Sequence, residues 1–289
     1  MRSTLMLATH EPAPGRVING DSRQPLLIVC EHASPRLPEA LQGRYPEHLI
    51  NSHYGCDLGT ERLVERLSSL LNARAVLANY SRIVIDCNRR LDDPTLILSD
   101  ADGQPVAANQ ALSDTAVSAR IESIYAPFHA LVETELAALS AAPLLPVYLA
   151  IHSFTPALAG MQRPWDVGLM WDVDDRLAIK MYSALNKEPS LFVGANEPYS
   201  GKHVADFSVD YHAERHGLAN LAIEIRQDHL ASDAGIERWA QRLASALSDV
   251  LGNDALHCAD TRSLPDAEFV DEAAVFSTAA RHWSQENAR

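Results

Sequence analysis

Apolar positions along this chain follow two alternating rhythms. Short unbroken runs occur at Leu26–Cys30, Ala75–Tyr80, Ile83–Cys87, Pro146–Ile151, Val167–Trp171 and Leu218–Ile225. Runs of this length, bounded by polar or turn-forming residues, predict buried strands. Between them the spacing stretches to three and four residues. Leu63, Val64, Leu67, Leu70 and Leu71 predict a helix over 57–72, and Ile121 through Leu139 predict a longer one with Pro127 as its kink. Ile236, Trp239, Leu243, Leu247, Val250 and Leu251 predict another. Buried strands separated by helices imply an α/β fold, a sheet covered by helices on both faces.

The pattern breaks at residues 91–113, which are polar and aperiodic and are expected to form a long loop of the kind that often carries function. Residues 1–24 read as an N-terminal extension, a ragged leading segment without the apolar core of a signal peptide. Residues 25–252 read as a single domain, and 253–289 as a tail packing on it after the linker-like stretch Gly252–Pro265. No internal repeat is visible.

Composition narrows the function classes. With 47% hydrophobic and 21% charged residues in 289, wholesale disorder is excluded. A net charge of −14 leaves no electrostatic footprint for nucleic acid or an anionic membrane surface, and no apolar run is long enough to span a bilayer. Cys30, Cys56, Cys87 and Cys258 form no CxxC pair, so neither a zinc ribbon nor a disulfide framework is expected, and a reducing cytoplasm is the simplest location. The first three sit among apolar neighbours and read as packed thiols.

Candidate chemistry lies where the apolar runs end. Leu26–Cys30 ends in Glu31-His32, Ile83–Ile85 in Asp86-Cys87-Asn88-Arg89-Arg90, Val147–Ile151 in His152-Ser153, and Leu221–Ile223 in Glu224-Ile225-Arg226. Ligands of open α/β sheets bind beyond the carboxyl ends of the strands, so these ends predict one polar site assembled from distant sequence. His32 and His152 with a carboxylate would match the two-His-one-carboxylate set that leaves zinc an open position. Each alone also fits a hydrogen-bonded core histidine. The third ligand is open between Glu31 and Asp57, and Asp57 serves equally well as a helix N-cap. Glu224, a carboxylate in an apolar strand, is a candidate general base, or else a partner for Arg226. Arg82, Arg89 and Arg90 offer planar forks for a substrate carboxylate, and Arg90 fits surface solvation better. The loop Asn196–Gly201 brings Ser200 and Gly201 as ligand contacts. His203, His212 and His216 lack the HExxH pattern of a second metal site, and His152-Ser153 is no nucleophile elbow.

These residues resemble a known family. Cys30-Glu31-His32-Ala33-Ser34, then Asp57, then Tyr80-Ser81-Arg82-Ile83-Val84-Ile85-Asp86-Cys87-Asn88-Arg89, is similar to N-formylglutamate amidohydrolases. Ile151-His152-Ser153-Phe154, Pro198-Tyr199-Ser200-Gly201 and Ile223-Glu224-Ile225-Arg226-Gln227-Asp228 extend the likeness over about 25–250. The resemblance implies the fold of zinc carboxypeptidases and aspartoacylases, a mixed, mostly parallel sheet sandwiched between helices, with 25–252 as its catalytic domain. It implies one Zn2+ on His32 and His152, with Asp57 as third ligand and Glu31 in reserve, because Pro35 stands where carboxypeptidases carry the Glu of His-x-x-Glu. It also implies Glu224 as base, and Asn88 and Arg89, with Arg82, on the substrate carboxylate. The expected function is hydrolysis of the N-formyl or N-acyl amide of a small acidic amino acid such as N-formylglutamate. The alternatives are an aspartoacylase-like hydrolase of another N-acyl amino acid and a catalytically silent ligand-binding homologue. The expected partner is that small molecule, with neither nucleic acid nor membrane, and a homo-oligomer is compatible with the sequence.

Overall fold

A computed structural model describes residues 6–202, 206–265 and 269–276. Seven strands form one mixed sheet. They are β1 (Gly15–Ile18), β2 (Leu26–Cys30), β3 (Arg74–Ala78), β4 (Val147–Phe154), β5 (Val167–Met170), β6 (Val193–Ala195) and β7 (Asn220–Arg226). Across the sheet they run β1-β3-β2-β4-β7-β5-β6. The centre, β3-β2-β4-β7, is parallel throughout. Edge strand β1 is antiparallel to β3, and the parallel pair β5-β6 runs antiparallel to β7. The mostly parallel α/β architecture expected from the sequence is therefore present.

The helices include α1 (Thr60–Leu71), α2 (Ala126–Ser140), α3 (Arg176–Leu185) and α4 (Asp233–Leu251). Successive strand side chains point to opposite faces, and β2 divides accordingly. Leu26, Ile28 and Cys30 pack in the core beneath α1, α3 and α4, while Leu27 and Val29 join α2 on the other face. Both faces are thus buried, which is why the central strands read as unbroken apolar runs. Helix α4 begins where Ser232 Oγ accepts the Gly235 N–H at 3.1 Å, and it buries Trp239 and Leu243 against α1 and the sheet. Each such side chain contributes about 1.5–3 kcal/mol relative to exposure.

Three expectations change. The run Ile83–Cys87 is buried but is not a strand. Its backbone groups are satisfied outside any ladder: Asn109 Nδ2 donates to the Ile83 carbonyl at 2.8 Å, Arg120 Nη1 to that of Val84 at 2.7 Å, and Asp86 N–H to that of Leu96 at 2.8 Å. Where a kink at Pro127 was expected, a π turn, Ile121–Tyr125, joins the helical segment Asp114–Arg120 to α2 without a break and ends just before the proline. The leading segment supplies edge strand β1.

The aperiodic stretch 91–113 holds a two-residue hairpin, Asp100–Ala101 with Gln104–Pro105, and is anchored by Asn109. In the tail, Phe269 and Phe276 are buried in the α2-side core, and the His257 ring bonds the carbonyls of Leu145 and Leu251. No helix among the described residues is long and apolar enough to cross a membrane.

Candidate active site

The carboxyl ends of β2, β4 and β7 open onto one cavity of about 470 Å³. Strand β2 ends at Cys30 and the chain turns at once, so Glu31 and His32 both face inward. The parallel register of β4 and β7 sets His152 opposite Glu224. Asp57 arrives from the approach to α1, where its N–H donates to the His32 carbonyl at 2.9 Å. The helix is capped by Gly59, not by Asp57. Gly59 has φ +85°, and a Cβ there would stand 2.5 Å from Leu230 Cβ, so glycine alone makes this turn. The Asp57 carboxylate is thereby left for the cavity.

Two imidazoles and that carboxylate converge. Asp57 Oδ2 lies 2.9 Å from His152 Nδ1 and 3.4 Å from His32 Nδ1, and the ring centroids are 5.0 Å apart. Each far nitrogen faces another buried carboxylate: His32 Nε2 bonds Asp86 Oδ1 at 2.7 Å, and His152 Nε2 lies 3.4 Å from Glu31 Oε2. Among the described residues, His32, Asp57 and His152 form a group whose ligand atoms all lie within 4.8 Å of one another. His32 Nδ1 has no hydrogen-bond partner despite full burial. That orphaned lone pair, and imidazoles backed by carboxylates on their far side, fit a divalent cation of the zinc kind. Glu31, the reserve ligand, stands behind His152 instead of beside Asp57.

The electrostatics follow from this crowding of acids around bases. Burial opposes ionisation of Asp57, yet the charge of His32 and the His152 hydrogen bond hold its carboxyl well below the usual range. Asp86 is held low in the same way by Arg82 and His32. Burial would strip the His152 proton, but Asp57 and Glu31 outweigh it and raise the ring to about 10. Glu224 goes the other way: burial pushes it up to about 7 against the pull of His152, and its Oε2 has no partner. The cavity therefore holds one carboxylate poised to exchange protons near neutrality.

The remaining sequence candidates divide. Arg82 is spent within the site, its Nε and Nη2 on Asp86 Oδ2 at 3.0 and 2.7 Å and its Nη1 on Asp57 Oδ1 at 3.3 Å. Asn88 lines the cavity, donating to Asp206 Oδ1 at 3.0 Å and accepting from Ser208 N–H at 2.8 Å. Arg89 also lines it, braced by Thr95 Oγ1 and the Asn88 carbonyl. Ser200 reaches the cavity, but Gly201 is not among its lining residues. The Gly201 N–H goes to Asn196 Oδ1, and a Cβ there would stand 2.7 Å from the Trp171 backbone, so this glycine serves close packing.

Cys30, Cys56 and Cys87 are buried free thiols. Burial raises all three, Cys56 to about 12, which suits packed thiols and not nucleophiles. His212 bonds His129 in the core, and His203 lies outside the described residues. Sequence reasoning missed His53, Thr155 and Asp206, all of which line the cavity from segments without periodicity, and it flagged the loop of Tyr199 without singling out that residue. Asp86 carried a signal in its four-residue spacing from Arg82.

Comparison with known proteins gives this arrangement its class. The family description N-formylglutamate amidohydrolase matches residues 24–231. A gene product of Agrobacterium tumefaciens of known crystal structure is 30% identical, with a TM-score of 0.82 over 86% of this chain and 98% of that one. An N-formylglutamate amidohydrolase from Ralstonia eutropha JMP134, 20% identical, shares the fold with a TM-score of 0.59 over 84% of this chain and 99% of that one. No curated protein matches. The fold and the family likeness together define a hydrolase of amide bonds. The chain belongs to the N-formylglutamate amidohydrolase family.

Proposed function

We infer that this chain hydrolyses the N-formyl or N-acyl amide of a small acidic amino acid, N-formylglutamate being the first candidate, with a divalent metal, zinc by its donor set, held by His32, Asp57 and His152. The observation that carries this reading is the shared cavity: two carboxylate-backed imidazoles converge on Asp57 while a lone buried carboxylate, Glu224, faces the same space. When bound, such a metal supplies Lewis acidity, polarising the scissile carbonyl and lowering the pKa of water.

The chain's own groups do the rest. Asp86 fixes the His32 ring by accepting from Nε2–H, which leaves the Nδ1 lone pair facing Asp57. Glu31 faces the far nitrogen of His152 at 3.4 Å without a hydrogen bond and acts on that ring through its charge. Glu224 takes the proton of the attacking water and passes it to the leaving amine nitrogen, a role suited to a carboxyl that burial raises above its ordinary range. Arg89, seated on Asn88, holds the α-carboxylate and so sets where the scissile carbonyl lies. Arg82 belongs to this apparatus as a brace: its fork ties Asp86 to Asp57, the two acids that flank His32. Ser200 and Tyr199 line the same cavity.

The test is metal content of the purified chain together with hydrolysis of N-formyl-L-glutamate before and after chelation. About one divalent ion per chain is expected, with activity lost on chelation and restored by zinc. A metal-free chain whose turnover survives both His32→Ala and His152→Ala would overturn the reading. Metal binding with turnover only of other N-acyl amino acids would keep the site and replace the substrate.

A further inference from the structure

Arginines in this acidic chain, 24 Lys+Arg against 38 Asp+Glu, commonly sit on carboxylates. Arg66 bonds Glu237, Arg242 bonds Glu188, and inside the cavity Arg82 bonds Asp86. Arg163 is placed differently. Its Nη1 donates to Thr155 Oγ1 at 3.3 Å and to the Tyr199 hydroxyl at 2.9 Å. Its guanidinium lies 4.8 Å from the Tyr199 ring centroid and 5.8 Å from that of Phe154. Phe154, Thr155 and Tyr199 all line the catalytic cavity. Among the described residues no carboxylate lies within ion-pair distance of Arg163.

The backbone explains how the side chain gets there. Beyond β4 the chain passes through Thr155 and turns back in a two-stranded hairpin, Ala157–Leu158 with Met161–Gln162. The Arg163 N–H closes it on the Pro156 carbonyl at 2.9 Å, setting Arg163 beside Thr155. Tyr199 meets it from the loop after β6. A guanidinium held by two neutral acceptors and two rings keeps its charge and most of its five donors for another partner. Because a guanidinium only donates, the Tyr199 oxygen accepts from it and retains its own O–H for the same partner. The complement of that pair is an anion with planar oxygens, a carboxylate.

We propose that Arg163 is a specificity-determining residue that takes a second carboxylate of the substrate, distinct from the one held at Arg89, so that the enzyme selects N-acyl amino acids with an acidic side chain. This rests on reading the cavity as an N-acyl-amino-acid site. The interior acids Glu31, Asp57, Asp86, Asp206 and Glu224 repel a dianion, and Arg82 is already matched by two of them. Arg163 is not itself a lining residue, but it is held against three that are, and a guanidinium there without an acid partner offsets that repulsion for a dicarboxylate and does nothing for a neutral side chain.

The experiment compares wild type and Arg163→Met on N-formyl-L-glutamate and N-formyl-L-glutamine. The ratio of kcat/KM values, glutamate over glutamine, is expected to fall about 10- to 100-fold in the variant, mainly through KM, and Arg163→Lys is expected to recover part of it. Equal losses on both substrates, or an unchanged ratio, would overturn the proposal. Calorimetric binding of glutarate and butyrate gives a readout independent of turnover. Wild type is expected to prefer glutarate about tenfold or more, and Arg163→Met to erase the preference. Should wild type hydrolyse no N-acyl amino acid yet lose glutarate binding with Arg163→Met, the function falls and the Arg163 site stands. Should hydrolysis proceed with the same selectivity in both proteins, the function stands and the Arg163 proposal falls.

Discussion

Two pairs of buried histidines sit among the described residues, at nearly the same ring separation, in opposite electrostatic surroundings. His32 and His152, with centroids 5.0 Å apart, stand at strand ends among Asp57, Asp86, Glu31 and Glu224. His129 and His212, 5.1 Å apart and joined by a 2.9 Å hydrogen bond, lie in the α2-side core among Tyr125, Phe207 and Phe276. Burial lowers the His129 ring to about 3 and drives His212 well down, Arg215 and His216 adding like charge against the latter. The same burial at His152 is outweighed by carboxylates, and the ring rises to about 10. Burial alone therefore makes a neutral packing element, whereas burial with acids makes a cavity that needs a positive charge. On the proposed reading a divalent cation supplies that charge, and its binding displaces the ring protons.

The largest effect is expected from removing the carboxylate that neither pair contains. Glu224→Gln keeps the shape and the metal ligands but takes away the proton acceptor, so turnover should drop by about 10²- to 10⁴-fold with metal content intact. Parallel metal analysis and kinetics check this, and full activity in the variant would remove Glu224 from the role of base. The pH sense follows from the same group. In the metal-free fold Glu224 titrates near 7, and a nearby dication favours its charged form, so loading zinc should move its carbon resonance titration to lower pH. Activity should accordingly rise with pH along an acid limb that lies below about 7 and vanishes with Glu224→Gln.

A smaller effect is expected one layer out. Asp86 fixes His32 through Nε2 and also neutralises Arg82. Asp86→Asn leaves a hydrogen-bonding group of the same size without its charge, and metal affinity should weaken by about 10- to 100-fold. Chelator competition measures this directly. Unchanged affinity would mean that the His32 ring is held by packing and that the comparison between the two pairs overstates the acids.

How much of this was legible in the sequence depends on whether a residue's environment is set locally. His32, His152 and Glu224 were legible because unbroken apolar runs mark central parallel strands, whose carboxyl ends must converge. Asp57 was half legible, since a carboxylate before a helix reads equally as a cap, and Gly59 decides the matter by taking the cap position itself. Arg82 was expected as a fork for a substrate carboxylate, and Ile83–Cys87 as a strand. In a strand, Arg82 and Asp86 would stand about 13 Å apart along the chain. In the turns the segment adopts, Arg82 Nη2 lies 2.7 Å from Asp86 Oδ2, and the fork is consumed. The four-residue spacing of Arg82 and Asp86 was the one local hint, since the groups that replace the run's ladder, Asn109 and Arg120, come from later in the chain. Arg163 was invisible for a related reason: two-residue strands on a polar rim carry no period.

The smallest effect at neutral pH is expected at the core pair, and it closes the comparison. His129→Gln keeps a hydrogen-bonding side chain beside His212 and removes one group that must stay neutral to remain folded. Metal content and turnover should stay within about threefold of wild type, since neither ring faces the cavity. The difference should appear in acid. With a folded pKa near 3 and an unfolded value of 6.5, the native state binds fewer protons than the unfolded state between those limits, so stability falls as pH drops through that window. The loss attributable to His129 is on the order of several kcal/mol when complete, and the glutamine variant should show a flatter decline. Urea midpoints between about pH 4 and 7 measure it, with the metal removed so that loss of the cation from the other pair does not add its own slope. In that metal-free protein His152 contributes the opposite sign: its stabilisation is complete below 6.5 and is lost as pH rises toward about 10. A variant that steepens the acid decline would mean that the core pair shares a proton after all, and that aromatic packing does not enforce its neutrality.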